Sequence, residues 1–305
     1  MDPVRVGGYQ GPGSVMSQAL GRFTETLREG QGGIESVLTL DVTRAGVAAR
    51  ALFDQVEAGQ SEICYLASGY LSSRVAELRV LDLPFAIDDR AAALHALDGQ
   101  TGQLLSDAVE RETGLRVLAF LDNGFRHISN RWRPLRTPAD CLGLRVRTLD
   151  SADYRATLQA LGFEAVTTDV RDLRRVVASG EVDAQENPLT NLLQFELWPF
   201  HPHVSLTGHL FGVGLLVCNG AWFDRLGPAA QGRVNEAALA ATLLQRRLAA
   251  AEDASSLLAL ASHGIAILGA EALDRLAMKS VCAPIARRIA DGLAPQLLAN
   301  YPQAL

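Results

Sequence analysis

The stretch Gly143-Leu144-Arg145-Val146-Arg147 is the point from which the rest of the 305-residue chain can be read. Successive side chains of a β-strand point to opposite faces, so Leu144 and Val146 share one face and Arg145 and Arg147 the other. Arg147 ends the strand and so stands at a rim. Open α/β sheets bind ligands at the carboxyl ends of their strands, and a guanidinium fork fits a carboxylate through two parallel hydrogen bonds. The pattern predicts either an anion site at Arg147 or a pairing of Arg147 with an acidic neighbour such as Asp150.

Upstream, residues 4–8 read as a strand, followed by a Gly/Pro-rich loop and a helix that Ser14 can cap. Met16, Ala19, Leu20, Phe23 and Leu27 fall at helical spacing in it, and Gly30 is a stop signal. Residues 34–40 alternate as a second strand, 47–58 form a helix ending at Gly59, and 63–67 are continuously apolar, as in a strand buried on both faces. This β-α-β-α-β order starts a doubly wound sheet. Its carboxyl-edge loops, carrying Tyr9-Gln10, Asp41 to Arg44 and Ser68-Gly69-Tyr70, form one wall of a cleft. Tyr9, Gln10 and Ser68 either reach a ligand or satisfy their own loop backbone, and Arg44 is either a third cation or directed to solvent.

Downstream, residues 115–121 form a strand that runs into Asp122-Asn123-Gly124-Phe125-Arg126, where Asn-Gly predicts a turn and a crossing into a second domain. Thr137-Pro138-Ala139-Asp140 specifies a short helix start, and Ser151 caps a helix carrying Tyr154, Leu158 and Leu161. Residues 165–167 are a strand; Leu173, Val176 and Val177 mark a helix ending at Gly180. Residues 213–219 return to the first sheet, and a helix over 228–263 would span about 50 Å, enough to cross both domains. Residues 265–268 add a strand before a helical end.

Composition bounds these readings. The chain is 48% apolar with a net charge of −6, which suits two globular domains and argues against a nucleic-acid partner. It holds no apolar run of bilayer-spanning length. Met1-Asp2-Pro3-Val4 leads straight into a strand, so the chain is either cytoplasmic or lacks a signal peptide that has been removed. Lys279 is the only lysine, so an arginine means little except by its place in a motif. Cys64, Cys141, Cys218 and Cys282 are too scattered for a zinc site and read as buried thiols, with one bridge left open. His201-Pro202-His203 and His209 lack the Cys or carboxylate partners of a metal site, and Gln185 with Glu186 offers too few oxygens; no metal and no cofactor are expected.

Several segments fall in a recognisable order: Leu78 to Phe85, Asp122-Asn123-Gly124-Phe125-Arg126-His127, Trp132 to Asp140, the arginine strand, Gly180-Glu181-Val182-Asp183-Ala184-Gln185-Glu186-Asn187-Pro188, and Leu206-Thr207-Gly208-His209. This order and spacing resembles the DctP-type substrate-binding proteins of TRAP (tripartite ATP-independent periplasmic) transporters. The resemblance implies an α/β, two-lobed periplasmic-binding-protein type II-like fold, each lobe a sheet flanked by helices, with a long helix spanning both. Domain I would be 1–124 plus about 212–250, domain II 125–211 plus about 251–280, and 281–305 a C-terminal helical segment packing on the lobes.

The resemblance also implies a monomeric periplasmic protein that captures a small carboxylate ligand and hands it to membrane permease subunits. Arg147, Arg126 and Asn187 would face the ligand; for Arg126 the residues alone leave a bridge to a boundary carboxylate equally open. Val170 stands where relatives usually carry an aromatic, and Asp172 where they carry Glu, so that wall of the cleft departs from the family pattern. Two other classes stay in view: a sugar-acid or keto-acid enzyme with Glu186 or Asp183 as base, and a receptor for a sensor kinase. No GxSxG, HExxH or Walker motif supports catalysis.

Overall fold

A computed structural model of the chain describes residues 2–301; Met1 and 302–305, the end of the expected C-terminal segment, lie outside the described residues. The chain opens with β1 (Val4–Gly7), α1 (Val15–Arg28), β2 (Ser36–Thr39), α2 (Ala51–Glu57) and β3 (Ile63–Ala67). These strands pair in parallel in the order β2-β1-β3, and every residue of β3 is buried. Ser14 Oγ accepts the Ser17 N–H at 3.0 Å and starts α1 as expected. The helix expected from residue 47 starts only at Ala51. Asp41 instead caps a 3₁₀ turn over Val42–Ala45, which Gly46 closes at φ +79°.

Next come α3 (Arg90–Leu97), α4 (Gln100–Thr113) and β4 (Leu115–Asn130), then β5 (Arg145–Thr148), α5 (Ala152–Ala160), β6 (Glu164–Thr167), α6 (Val170–Ser179), β7 (Ala184–Asn187) and α7 (Leu189–Gln194). The chain continues through β8 (His203–Asn219), α8 (Gly220–Asp224), α9 (Pro228–Ser262), β9 (Ala266–Leu268), α10 (Arg275–Ala290) and α11 (Pro295–Asn300). The 3₁₀ start at Pro138–Cys141 carries the full capping box, Thr137 and Asp140 each accepting or donating across it.

All strands form one hydrogen-bonded sheet, ordered β2-β1-β3-β8-β4-β7-β5-β6, with β9 beside β8. The long antiparallel pair β4 and β8 is shared: β3 pairs with the end of β8, and β7 with the end of β4. This continuity corrects the turn expected at Asn123-Gly124. The strand runs straight through it, and Gly124, at φ +83°, absorbs a register shift between Asp122 and Gly124 as a β-bulge opposite Gly212. The same glycine that permits a turn permits a bulge, and the long partner strand decides between them.

Helix α9 braces this crossing. Gln245, fully buried in α9, accepts the Asp122 N–H at 2.9 Å and donates to the Asp122 carbonyl at 2.6 Å, beside the bulge. Arg90 joins Asp122 (3.3 Å) to Asp253 of α9. Small residues Ala237, Ala238, Ala241 and Ala249 form the buried side of α9, so its backbone lies close to α1 and β4. The four cysteines are buried and unpaired. No helix among the described residues is long and apolar enough to cross a membrane.

Candidate functional site

Arg147 sits near the carboxyl end of β5, which lies between β6 and β7, so neighbouring backbone surrounds its stem. The residue is 1% exposed. Its Nε donates to the Thr168 carbonyl at 2.8 Å, and Nη2 donates to the same oxygen. Among the described residues no carboxylate forms an ion pair with it. Asp150, the acidic neighbour that could have taken it, lies on Arg50 instead at 3.4 Å, both side chains more than 60% exposed. A guanidinium has five N–H donors in a fixed fork, so a carbonyl on the Nε side leaves the end-on Nη1/Nη2 edge for a planar acceptor.

Arg126, on β4, has a different environment. Its Nε pairs with Glu186 of the adjacent β7, and Nη2 donates to Glu186 Oε1 (3.0 Å), to the Glu186 carbonyl (2.9 Å) and to Asn187 Oδ1 (3.1 Å). The Tyr154 ring lies 5.3 Å from the guanidinium carbon. Thr148 Oγ1 donates to Glu186 Oε1 at 2.7 Å, and both ends of the ion pair are buried. Burial works against the charge of Glu186, but the Arg126 guanidinium together with His209, whose Nε2 lies 3.6 Å from Oε2, outweighs it and holds the carboxyl well below its ordinary range. Of the two possibilities left open for Arg126, the carboxylate bridge is the arrangement present.

Asn187 belongs to a relay of amides. Its Oδ1 accepts from Arg126 and from Asn191 Nδ2 (3.0 Å), and its Nδ2 donates to Gln185 Oε1 at 2.6 Å. Gln185 donates to Ser129 Oγ, which contacts His201 Nδ1 at 3.0 Å. From the first-sheet side Gln10 donates to Asn191 Oδ1 at 3.2 Å, so the relay crosses between the walls. One Asn187 N–H remains unassigned.

Tyr9 is buried, its ring 5.0 Å from that of Tyr65, and feels the charges of both Arg126 and Arg147; burial raises its phenol pKa. Ser68 is buried at the start of the 3₁₀ turn Ser68–Tyr70. Arg44 is corrected to the solvent side: it is exposed on Val42–Ala45 and makes no ion pair among the described residues. Val170, expected on the ligand wall, is buried as the first residue of α6 and packs in the main apolar core. Asp169, before it, caps α6 and accepts the Ala49 N–H at 3.2 Å from the opposite wall.

Sequence reasoning missed four participants. Tyr70 lies near Arg147, Tyr154 underlies Arg126, Asn191 links Gln10 to Asn187, and Asp169 touches both walls. Tyr70 carried a signal, since it shares a loop with Ser68. The others depend on which strands become neighbours. The walls are in contact: Arg171 donates to the Gly46 carbonyl at 2.9 Å, and a Cβ on Gly69 would meet Leu149 at 3.2 Å and Tyr154 at 3.4 Å. Among the described residues no group of three or more His, Cys, Asp or Glu is placed to hold a metal ion.

Residues 6–292 match the family described as bacterial extracellular solute-binding protein, family 7 (DctP). The chain is 30% identical over 267 residues to a solute-binding protein of Verminephrobacter eiseniae, covering 88% of this chain and 78% of that one. It is 29% identical to the 2,3-diketo-L-gulonate-binding periplasmic protein of Escherichia coli over 271 residues, 88% and 80% of the two chains. A TRAP periplasmic solute-binding protein from Polaromonas, solved bound to D-erythronate, superposes with a TM-score of 0.93 at 25% identity over the whole of both chains.

Proposed function

Since the chain belongs to family 7 of the bacterial extracellular solute-binding proteins, the DctP family, whose members are binding proteins that work with TRAP permeases, we propose that it captures a small organic acid between its two walls and delivers it to such a permease. The observation that carries this reading is Arg147, a buried guanidinium oriented by a carbonyl and free of any carboxylate partner among the described residues. A ligand carboxylate on its open edge gains two charge-assisted hydrogen bonds, each about 1.5–3 kcal/mol net. Together they supply roughly half of the ~8.2 kcal/mol that micromolar binding requires.

The relatives' ligands point the same way: sugar acids and other small carboxylates are named for D-erythronate, galactonate and succinate complexes. The lobes would be 1–124 with about 212–250, and 125–211 with about 251–280, hinged where Gly124 faces Gly212. Opening then breaks the cross-wall bonds, among them Ala49–Asp169, Gly46–Arg171, Gln10–Asn191, Arg50–Asp150 and Arg79–Asp153. The protein would work as a periplasmic monomer. Capture without chemistry is supported by the two carboxylates considered as bases: Glu186 is bound to Arg126, and Asp183 to Arg145 at 2.9 Å.

Two measurements test the reading. Protein denatured after purification should release a small organic acid detectable by mass spectrometry; recovery of neutral or cationic solutes alone counts against it. Arg147→Lys should weaken binding tenfold or more in calorimetry, because an ammonium cannot present a planar fork. Unchanged affinity removes Arg147 from the role.

A further inference from the structure

We propose that Asp82 is a proton-operated latch on closure of the two walls: it is enclosed in neutral form when they meet, and ionises when they part. This rests on the two-lobe reading and on no choice of ligand. Asp82 ends the 3₁₀ turn Ala76–Asp82 of the first lobe and is fully buried. Beside it stand the hydroxyl of Ser72, from the same lobe, and that of Ser151, which caps α5 in the second lobe. A carboxyl held between opposing lobes changes its surroundings whenever they move apart.

The groups around it favour the acid form. Asp82 makes no ion pair among the described residues. Arg79, on the same turn, is taken by Asp153 of α5 through Nε at 2.6 Å and Nη2 at 3.0 Å, and Arg288 of α10 joins the same carboxylate at 3.1 Å. The Asp153 charge therefore faces Asp82 together with the phenols of Tyr154 and Tyr301, which burial keeps neutral. Of the other elements against the turn, α4 directs Arg111 to Glu77 at 2.6 Å, and β8 directs His209 to Glu186 at 3.6 Å. Ser72 Oγ donates to the Gly69 carbonyl at 3.1 Å and so offers lone pairs, whereas Ser151 Oγ accepts the Tyr154 N–H at 3.4 Å and keeps its own proton to give. A neutral carboxyl, which both donates and accepts, matches that pair; a carboxylate only accepts.

Enclosure disfavours the charge: burial and the Asp153 carboxylate push the pKa of Asp82 up to about 7 despite Arg79 and the two hydroxyls. Hydrated in an open cleft, the same carboxyl would return toward the ordinary value of about 3.9. The closed state then holds a proton that the open state has released. Closure is therefore favoured at low pH, weakens as pH rises from about 4 to about 7, and levels off above. Acid surroundings tighten the cleft and alkaline ones loosen it.

The test needs no ligand. Arg50→Cys with Asp150→Cys places two thiols at the exposed rim where those side chains now meet, and a short bis-methanethiosulfonate cross-linker holds the walls together until a reductant cleaves it. The infrared band of a protonated carboxyl, assigned to Asp82 by its loss in Asp82→Asn, should titrate near pH 7 in the cross-linked protein and at least one pH unit lower after reduction. Where Asp82→Asn does not fold, the cross-linked minus reduced difference spectrum at pH 6 carries the same band without that substitution. Absence of the band from the cross-linked protein below pH 6 overturns the neutral enclosed state, and equal midpoints in the two forms overturn its coupling to closure. Either failure leaves acid capture standing. Release of no acid on denaturation counts against acid capture without altering this titration.

Discussion

The cleft holds two buried arginines, from neighbouring parts of one sheet, that differ in what answers their charge. Arg126 meets a carboxylate, a carbonyl and an amide, all supplied by β7. Arg147 meets a carbonyl just beyond β6 and the Tyr70 phenol, and no carboxylate among the described residues. The first is a completed interaction within the protein. The second has no carboxylate partner among the described residues, the opening that the proposed ligand would fill. In the proposed reading it is burial with an unanswered charge, and not burial alone, that marks the binding arginine.

The comparison breaks most visibly by removing each side chain in turn. Arg126→Met leaves Glu186 buried and unpaired, and should lower unfolding free energy by about 3–5 kcal/mol in urea titrations. Arg147→Met removes a desolvated charge that no carboxylate balances, so the ligand-free protein should change little or become more stable, while acid binding is lost. If both variants lose comparable stability, the two arginines are equivalent and the distinction fails.

These two roles could not be separated from the sequence. Arg147 was legible because alternation in a short strand fixes both its face and its place at the strand end. Glu186 lies 60 residues from Arg126. Its pairing depends on β4 and β7 becoming neighbours, which no local pattern encodes. Caps were read correctly at Ser14 and Ser151, since a side-chain oxygen reaching a nearby N–H is a local event. Asn123-Gly124 was misread as a turn for the complementary reason: its local preference is real, but pairing with β8 converts it into a bulge.

Acidity separates the regions further. Glu186 has a folded pKa held below its unfolded value, so its contribution is present above the ordinary carboxylate range and is lost as pH falls through the folded value. Asp82 has the opposite sign. It is fully buried beside the Ser72 and Ser151 hydroxyls, and burial, with the Asp153 charge nearby, pushes its pKa up to about 7. The native state then holds a proton that the unfolded chain has released, so stability declines as pH rises from about 4 to about 7. Asp82→Asn should flatten that slope in urea titrations at pH 4.5 and 7.5. An unchanged slope assigns it to other groups.

The smallest effect belongs at the rim. Arg50 and Asp150 reach across from opposite walls at 3.4 Å, but both are more than 60% exposed, where solvent screening limits a pair to about 0–1 kcal/mol. Arg50→Ala should therefore leave unfolding free energy nearly unchanged and weaken acid affinity less than fivefold, with the loss shrinking as salt is raised. The same substitution also bears on the contrast between the arginines. Arg50 is an exposed rim cation with a carboxylate already in hand, so if its removal weakens binding as much as Arg147→Lys does, the ligand is held at the mouth and not by the buried fork. A small, salt-sensitive loss keeps recognition at Arg147 and gives the rim pair the lesser task of biasing the walls toward closure.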